Sequence, residues 1–197
     1  MSFDQSAQTD DIDIASFERL SLALDEQVST SVQDLLADFK FAPVTSLDPK
    51  HVWRWRQSVN ETLVEFLTPS FEENEGIKHL QALGVDAQSL HHLNFVLATP
   101  EKAALPYRDG VLIQVPRPER FAIHKLVIAD RRADRLKARK DRAQAAFVIE
   151  VLAQDRPQDL METYREALAS GQRWKERIER SLSQMPDTQE ILDGLDF

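Results

Sequence analysis

Cysteine is absent from this 197-residue chain and glycine occurs only five times. Without a thiol there is no disulfide framework, no thiolate nucleophile and no cysteine-ligated zinc. A chain of this length can bury a sufficient core without covalent staples. A reducing, cytoplasmic compartment is therefore expected. The opening MSFDQSAQTDDID is acidic, with neither a basic n-region nor an apolar h-region. Every later apolar run is broken by charge well short of the roughly 18 residues a span requires. Neither export nor a membrane partner is expected. What is present is ordinary: 42% hydrophobic and 29% charged residues, a globular composition that suits one domain or two small ones.

The net charge of −9 is spread unevenly. Between Arg117 and Arg142 there are ten Lys/Arg against four Asp/Glu, which leaves 14 against 29 for the rest of the chain. One basic segment thus sits in an acidic protein. This favours a local anion such as a phosphate over a long nucleic-acid track, because the overall field repels polyanions at distance. A solvated helix face remains the more frequent meaning of such a charge run. Nucleic acid, through Arg131, Arg132, Arg135, Lys137, Arg139 and Lys140, is the less favoured partner.

Hydrophobic periodicity divides the chain. Asp11-Ile12-Asp13-Ile14-Ala15 alternates, which predicts a half-buried strand with both carboxylates on one face. From Ser16 to about Phe39 the apolar residues recur at helical spacing, with a break expected near Ser29-Thr30-Ser31. Val52 to Arg56 and Thr62 to Leu67 read as an antiparallel hairpin around Ser58-Val59-Asn60. Within it, Trp53 and Trp55 are expected on one face and Arg54 and Arg56 on the other. Gln88 to Leu97 predicts a helix, and Tyr107-Arg108-Asp109-Gly110 a turn into a strand from Val111 to Val115. Helices then follow from Pro118, from about Leu136 to Ala153, from Pro157 to near Gly171, and from Trp174 to Leu182. The acidic end after Asp187 offers a capping box and is otherwise expected to be loosely held. The expected class is α+β, with a small mixed or antiparallel sheet and flanking helices in residues 1–117 and a helical C-terminal region over 118–197.

Asp11 and Asp13 project side by side, a spacing that can hold hard divalent cations. Taken alone, D-x-D more often marks a solvated acidic pair. Glu65 stands inside an otherwise apolar strand, where a charge is costly unless a cation meets it. The alternative is an edge-strand gatekeeper. Asp141 shares an apolar stripe with Ala145, Val148 and Leu152 and so requires a partner, for which Lys125 is the candidate. A structural salt bridge and a ligand site both meet that requirement. The five histidines show no metal-ligand spacing.

Thr9-Asp10-Asp11-Ile12-Asp13-Ile14-Ala15, the strand Val64-Glu65-Phe66-Leu67-Thr68-Pro69, the segment Val115-Pro-Arg-Pro-Glu-Arg-Phe-Ala-Ile-His-Lys-Leu126 and Lys140-Asp-Arg-Ala-Gln-Ala145 together resemble a family of bacterial nucleotidyltransferase-fold proteins related to the polymerase-β-like minimal nucleotidyltransferases. The resemblance covers nearly the whole chain. It implies a palm-like sheet on which Asp11 and Asp13 hold Mg²⁺ or Mn²⁺ with Glu65 as the third acid, in a position where relatives are expected to carry Asp. It also implies nucleotide-binding roles for Lys125, Asp141 and Thr9. Such enzymes carry a Gly-Ser or Gly-Thr turn before the D-x-D strand to cradle a triphosphate. The first glycine here is Gly76, so the resemblance implies an N-terminally shortened member. The implied reaction transfers a nucleoside monophosphate from an NTP to a hydroxyl on a protein, an RNA or a small molecule. The alternative is a catalytically inactive relative that serves as an interaction protein.

Overall fold

A computed structural model describes residues 11–17, 31–45 and 51–195. Its elements run β1 (Asp11–Ala15), α1 (Val32–Asp38), β2 (Phe41–Pro43), β3 (Arg54–Gln57), β4 (Leu63–Pro69), β5 (Ile77–Leu80), β6 (Val85–Leu90), α2 (Leu93–Leu97), β7 (Glu101–Leu105) and β8 (Val111–Val115). Five helices follow: α3 (Pro118–Arg131), α4 (Arg135–Asp155), α5 (Pro157–Ala169), α6 (Gln172–Leu182) and α7 (Pro186–Gly194). The class is α+β. Two compact units are formed, one ending at Asn94 and one beginning at Phe95.

In the first unit β4 is the central strand. It pairs antiparallel with β3, in parallel with β1, and in parallel with β6 through Leu67, Thr68 and Pro69. Its sequence explains its place. Val64 and Phe66 point to one side and are buried with Trp55, Leu36, Leu80, Val85 and Ala87. Trp55 meets the Phe66 ring edge-on, with centroids 5.1 Å apart. The β3–β4 hairpin has the expected pairing, Trp55 opposite Val64, which leaves Arg54 and Arg56 on the opposite face. Trp53 lies just ahead of β3, half-buried, with the Arg54 guanidinium 4.5 Å over its ring.

Three expectations need correction. The segment expected as a helix from Gln88 to Leu97 is the end of β6 followed by the short α2. Val85, Ala87 and Ser89 are buried on alternate positions, a period of two in which Ala87 and Ser89 are small residues of weak β preference. β1 is a strand as expected but is not half-buried, since Ile12 and Ile14 keep 51% and 40% of their surface exposed. The acidic end is the helix α7, opened by Pro186 and anchored by buried Thr188 and Leu192. For the long helix expected from Ser16, the described part is α1, whose N-cap Ser31 accepts a hydrogen bond from the Gln33 amide at 3.2 Å. Ser16 and Phe17 are not helical, and residues 18–30 lie outside the described residues.

Gly84 closes the β5–β6 turn at φ +62° with open space where a Cβ would stand. Gly84→Ala should therefore cost only backbone strain, about 1–2 kcal/mol, readable as a lowered denaturant midpoint.

In the second unit the helices share one core. Ile123, Leu126 and Val127 of α3 pack with Ala145, Ile149 and Leu152 of α4, and Leu160, Ile178, Leu182 and Leu192 complete the cluster. α3 begins with Pro118, whose missing N–H costs nothing at a first helical position. Its next two residues are buried ions. Arg120 binds Glu166 through two nitrogens at 3.1 and 2.7 Å and donates to the Phe95 carbonyl. Glu119, fully buried, lies 3.1 Å from Arg156 Nε and 3.5 Å from Arg117 Nε. These are ion-pair contacts without hydrogen-bond alignment.

Arg180 of α6 grips Asp130 of α3 with two hydrogen bonds of 2.8 Å. That hydrogen bond, backed by the charge of Arg180 and Arg177 against the opposing effect of burial, holds the Asp130 carboxyl below its ordinary value. A carboxyl depressed by folding stabilises above its unfolded pKa, and the contribution is lost as pH falls through the folded value. Arg180→Ala should accordingly flatten the loss of stability with acid below about pH 4 while leaving its slope at neutral pH unchanged. Denaturant midpoints taken across the acid range check this.

Candidate active site

Strand register puts the acidic residues of the first unit on one sheet face. β1 runs parallel to β4 with Asp13 opposite Glu65 and Asp11 opposite Leu63. Residues opposite each other share a sheet face, and sides alternate along each strand. Asp11, Asp13 and Glu65 therefore lie on one face, while Ile12, Ile14, Val64 and Phe66 lie on the other. Glu65 is not an edge gatekeeper, because β4 has paired strands on it from Leu63 to Pro69. Across the hairpin Arg54 stands opposite Glu65, and its Nη1 is 3.9 Å from Glu65 Oε1. That distance is Coulombic contact, longer than a hydrogen bond.

Sequence reasoning missed a fourth acid on this face. Leu67 is opposite Gln88 in β6, and Asp86 lies two residues before it, so Asp86 shares the side of Glu65. Its two oxygens engage His79 Nδ1 at 2.9 Å and His51 Nδ1 at 3.1 Å. The alternation of V-D-A-Q-S-L was the available signal, hidden by the helical reading of its second half.

The donor chemistry suits Mg²⁺ or Mn²⁺, since three carboxylates on one face offer hard oxygen ligands. Face and register are as far as the arrangement goes. Among the described residues no three His, Asp or Glu side chains are gathered closely enough to hold a metal ion. Asp11 and Asp13 are exposed, and the Glu65 side chain keeps 21% of its surface. Thr9 lies outside the described residues.

In the helical unit, Asp141 projects from the buried stripe of α4 formed with Ala138, Ala145, Ile149 and Leu152. Only 4% exposed, it is held by Lys125 Nζ at 2.6 Å and by Arg132 Nε at 3.0 Å. Lys125 reaches it along α3 with its ammonium 5.2 Å from the Phe121 ring centroid. The bridge between Lys125 and Asp141 is thus present, and Arg132 is a second partner that the sequence did not disclose. Arg132 sits at the C-cap of α3, a position that helical periodicity does not place.

No helix among the described residues is long and apolar enough to cross a membrane. Neither the curated proteins nor the solved structures gave a match to this chain. A family model described as Nucleotidyltransferase matches residues 1–169. That span is more than half of the chain, and the chain belongs to this nucleotidyltransferase family.

Proposed function

We propose that the protein transfers a nucleoside monophosphate from an NTP to a hydroxyl acceptor. The observation that supports this best is the register that sets Asp13 beside Glu65, with Asp11 on the same face, in a chain of the nucleotidyltransferase family. Asp11, Asp13 and Glu65 would hold Mg²⁺ or Mn²⁺. Bound there, the ion would offset triphosphate charge and favour departure of pyrophosphate. In the transfer, the acceptor oxygen bonds to the α-phosphorus, the bond from that phosphorus to its bridging oxygen breaks, pyrophosphate leaves and the hydroxyl proton passes to a base. Lys125 would neutralise phosphate charge, with Asp141 fixing its direction, and Thr9 would contact the nucleotide. The acceptor is a protein, an RNA or a small molecule.

The test is incubation with α-labelled NTPs, Mg²⁺ and acceptors of each class. Label should pass to one of them with pyrophosphate released, and Asp11→Ala should stop it. Undetectable nucleotide binding together with no effect of Asp11→Ala would dispose of the reading.

The second reading is a catalytically inactive member that serves as an interaction protein. It is favoured by the observation that among the described residues no three His, Asp or Glu side chains are gathered closely enough to hold a metal ion. It predicts that Asp11→Ala and Asp13→Ala leave every measurable binding property unchanged.

A further inference from the structure

A strand that pairs on one side only offers its free N–H and C=O groups to another strand, and proteins guard such edges with charge or proline. Among the described residues β1, β2, β5, β7 and β8 pair on one side only. Four of them are guarded: β1 by Asp11 and Asp13, β2 by Pro43, β5 by Lys78, and β7 by Glu101 and Lys102. β8 is Val-Leu-Ile-Gln-Val, with no charge, proline or glycine. The surface around it is apolar as well, since Leu105, Tyr107, Val111, Leu112 and Ile113 are all exposed. A two-stranded sheet is marginal by itself in water. Here the root of the hairpin is tied down by Glu101, which accepts a hydrogen bond from Arg156 at 3.0 Å and lies 3.5 Å from Arg117. Leu112, nearer the tip, keeps 70% of its surface in solvent.

We infer that β8 is a self-association edge, which pairs antiparallel with β8 of a second copy about a two-fold axis at Ile113. Pattern and charge select this occupant. In antiparallel pairing, residues directly opposite share a face, and only the register centred on Ile113 pairs all five residues of β8. It sets Val111 opposite the partner's Val115 and Leu112 opposite the partner's Gln114. Within one hairpin Leu105 is opposite Val111 and Ala103 is opposite Ile113, so this apolar face continues across the axis into the second copy. No charge on β8 meets its like, and residues 101–115 balance Glu101 and Asp109 against Lys102 and Arg108. That neutrality matters in a chain of net charge −9, whose copies repel one another overall. Continued past the strand ends, the same register brings Asp109 of each copy toward the partner's Arg117, opposite charges at both ends. The area is small. Five residues a side fall short of the roughly 20–30 of a standard interface, so the pair is reversible, with a Kd on the order of 10–100 μM. The inference does not rest on the transfer reaction, since neither NTP, Mg²⁺ nor the acids of the first unit enter it.

The experiment is sedimentation velocity of the full chain without NTP, over about 2 to 400 μM, a range that brackets the expected affinity. The weight-average sedimentation coefficient should rise from that of a monomer toward that of a dimer. Leu112→Glu with Gln114→Glu sets like charges opposite each other twice across the axis and should weaken the dimer about tenfold. Leu112→Lys with Gln114→Glu sets opposite charges in the same places and should return the affinity to within about threefold of wild type. Leu112 and Gln114 are exposed, and a glutamate at 114 faces Lys102 across its own hairpin in both variants, so folding should be spared. Three results would overturn the inference: a monomer at every concentration, a dimer of unchanged affinity in the doubly acidic variant, or no recovery in the variant with opposite charges.

Discussion

Asp141→Ala should lower the unfolding free energy by about 3–5 kcal/mol, whereas Lys125→Ala should cost clearly less. The asymmetry comes from geometry. Asp141 is 4% exposed and serves two cations. Its removal leaves Lys125 with only 21% of its side-chain surface in solvent and without its carboxylate. Removing Lys125 instead leaves Asp141 with Arg132 still at 3.0 Å. Denaturant unfolding of the two variants measures the difference. Repeating it with Mg-NTP separates the roles of Lys125: as a phosphate contact, its loss reduces the stabilisation that ligand confers, while a purely structural lysine leaves that increment equal to wild type. If the two substitutions cost the same, Arg132 is not sharing the load and the three-charge arrangement is wrong.

Asp13→Asn should reduce the transfer rate by about 10²–10³-fold, the consequence of losing several kcal/mol of charge stabilisation from a metal-holding carboxylate. The change is nearly isosteric and Asp13 is exposed on β1, so folding should be spared. Neutralising Asp86, which shares the face but is held by His51 and His79, should leave the rate nearly unchanged. Initial rates of pyrophosphate release for the two variants decide between three acids acting together and a general acidic surface. Equal effects would point to the latter.

Legibility followed the strength of the local signal. D-I-D-I-A announces a strand because its alternation is strict, and the same alternation put Asp11 and Asp13 on one side. The hairpin from Arg54 to Pro69 was legible from its aromatic and β-branched residues on either side of a polar turn. The helices from Pro118 onward were legible because Pro118 and Pro157 open helices and Gly171 closes one. The partner of β1 was not legible. Parallel pairing of β1 with β4 links residues about fifty apart, and such register depends on the whole sheet rather than on either segment. β6 failed for the opposite reason, since its buried positions are filled by Ala87 and Ser89, which carry little local preference. α7 was missed because only Thr188 and Leu192 are buried in it, too few to mark an apolar face. The pairing of Asp130 with Arg180 was invisible in the sequence because helix packing brings together positions fifty apart.

The most direct measurement of the central claim is calorimetric titration of NTP into the wild-type chain and into Asp13→Asn, each with Mg²⁺ and with EDTA. It requires no knowledge of the acceptor. If Asp11, Asp13 and Glu65 hold the metal for a nucleotide, wild type should bind NTP with Mg²⁺ present, lose that binding in EDTA, and show the same loss in Asp13→Asn with Mg²⁺. Absence of binding, or binding indifferent to both Mg²⁺ and Asp13, would contradict it.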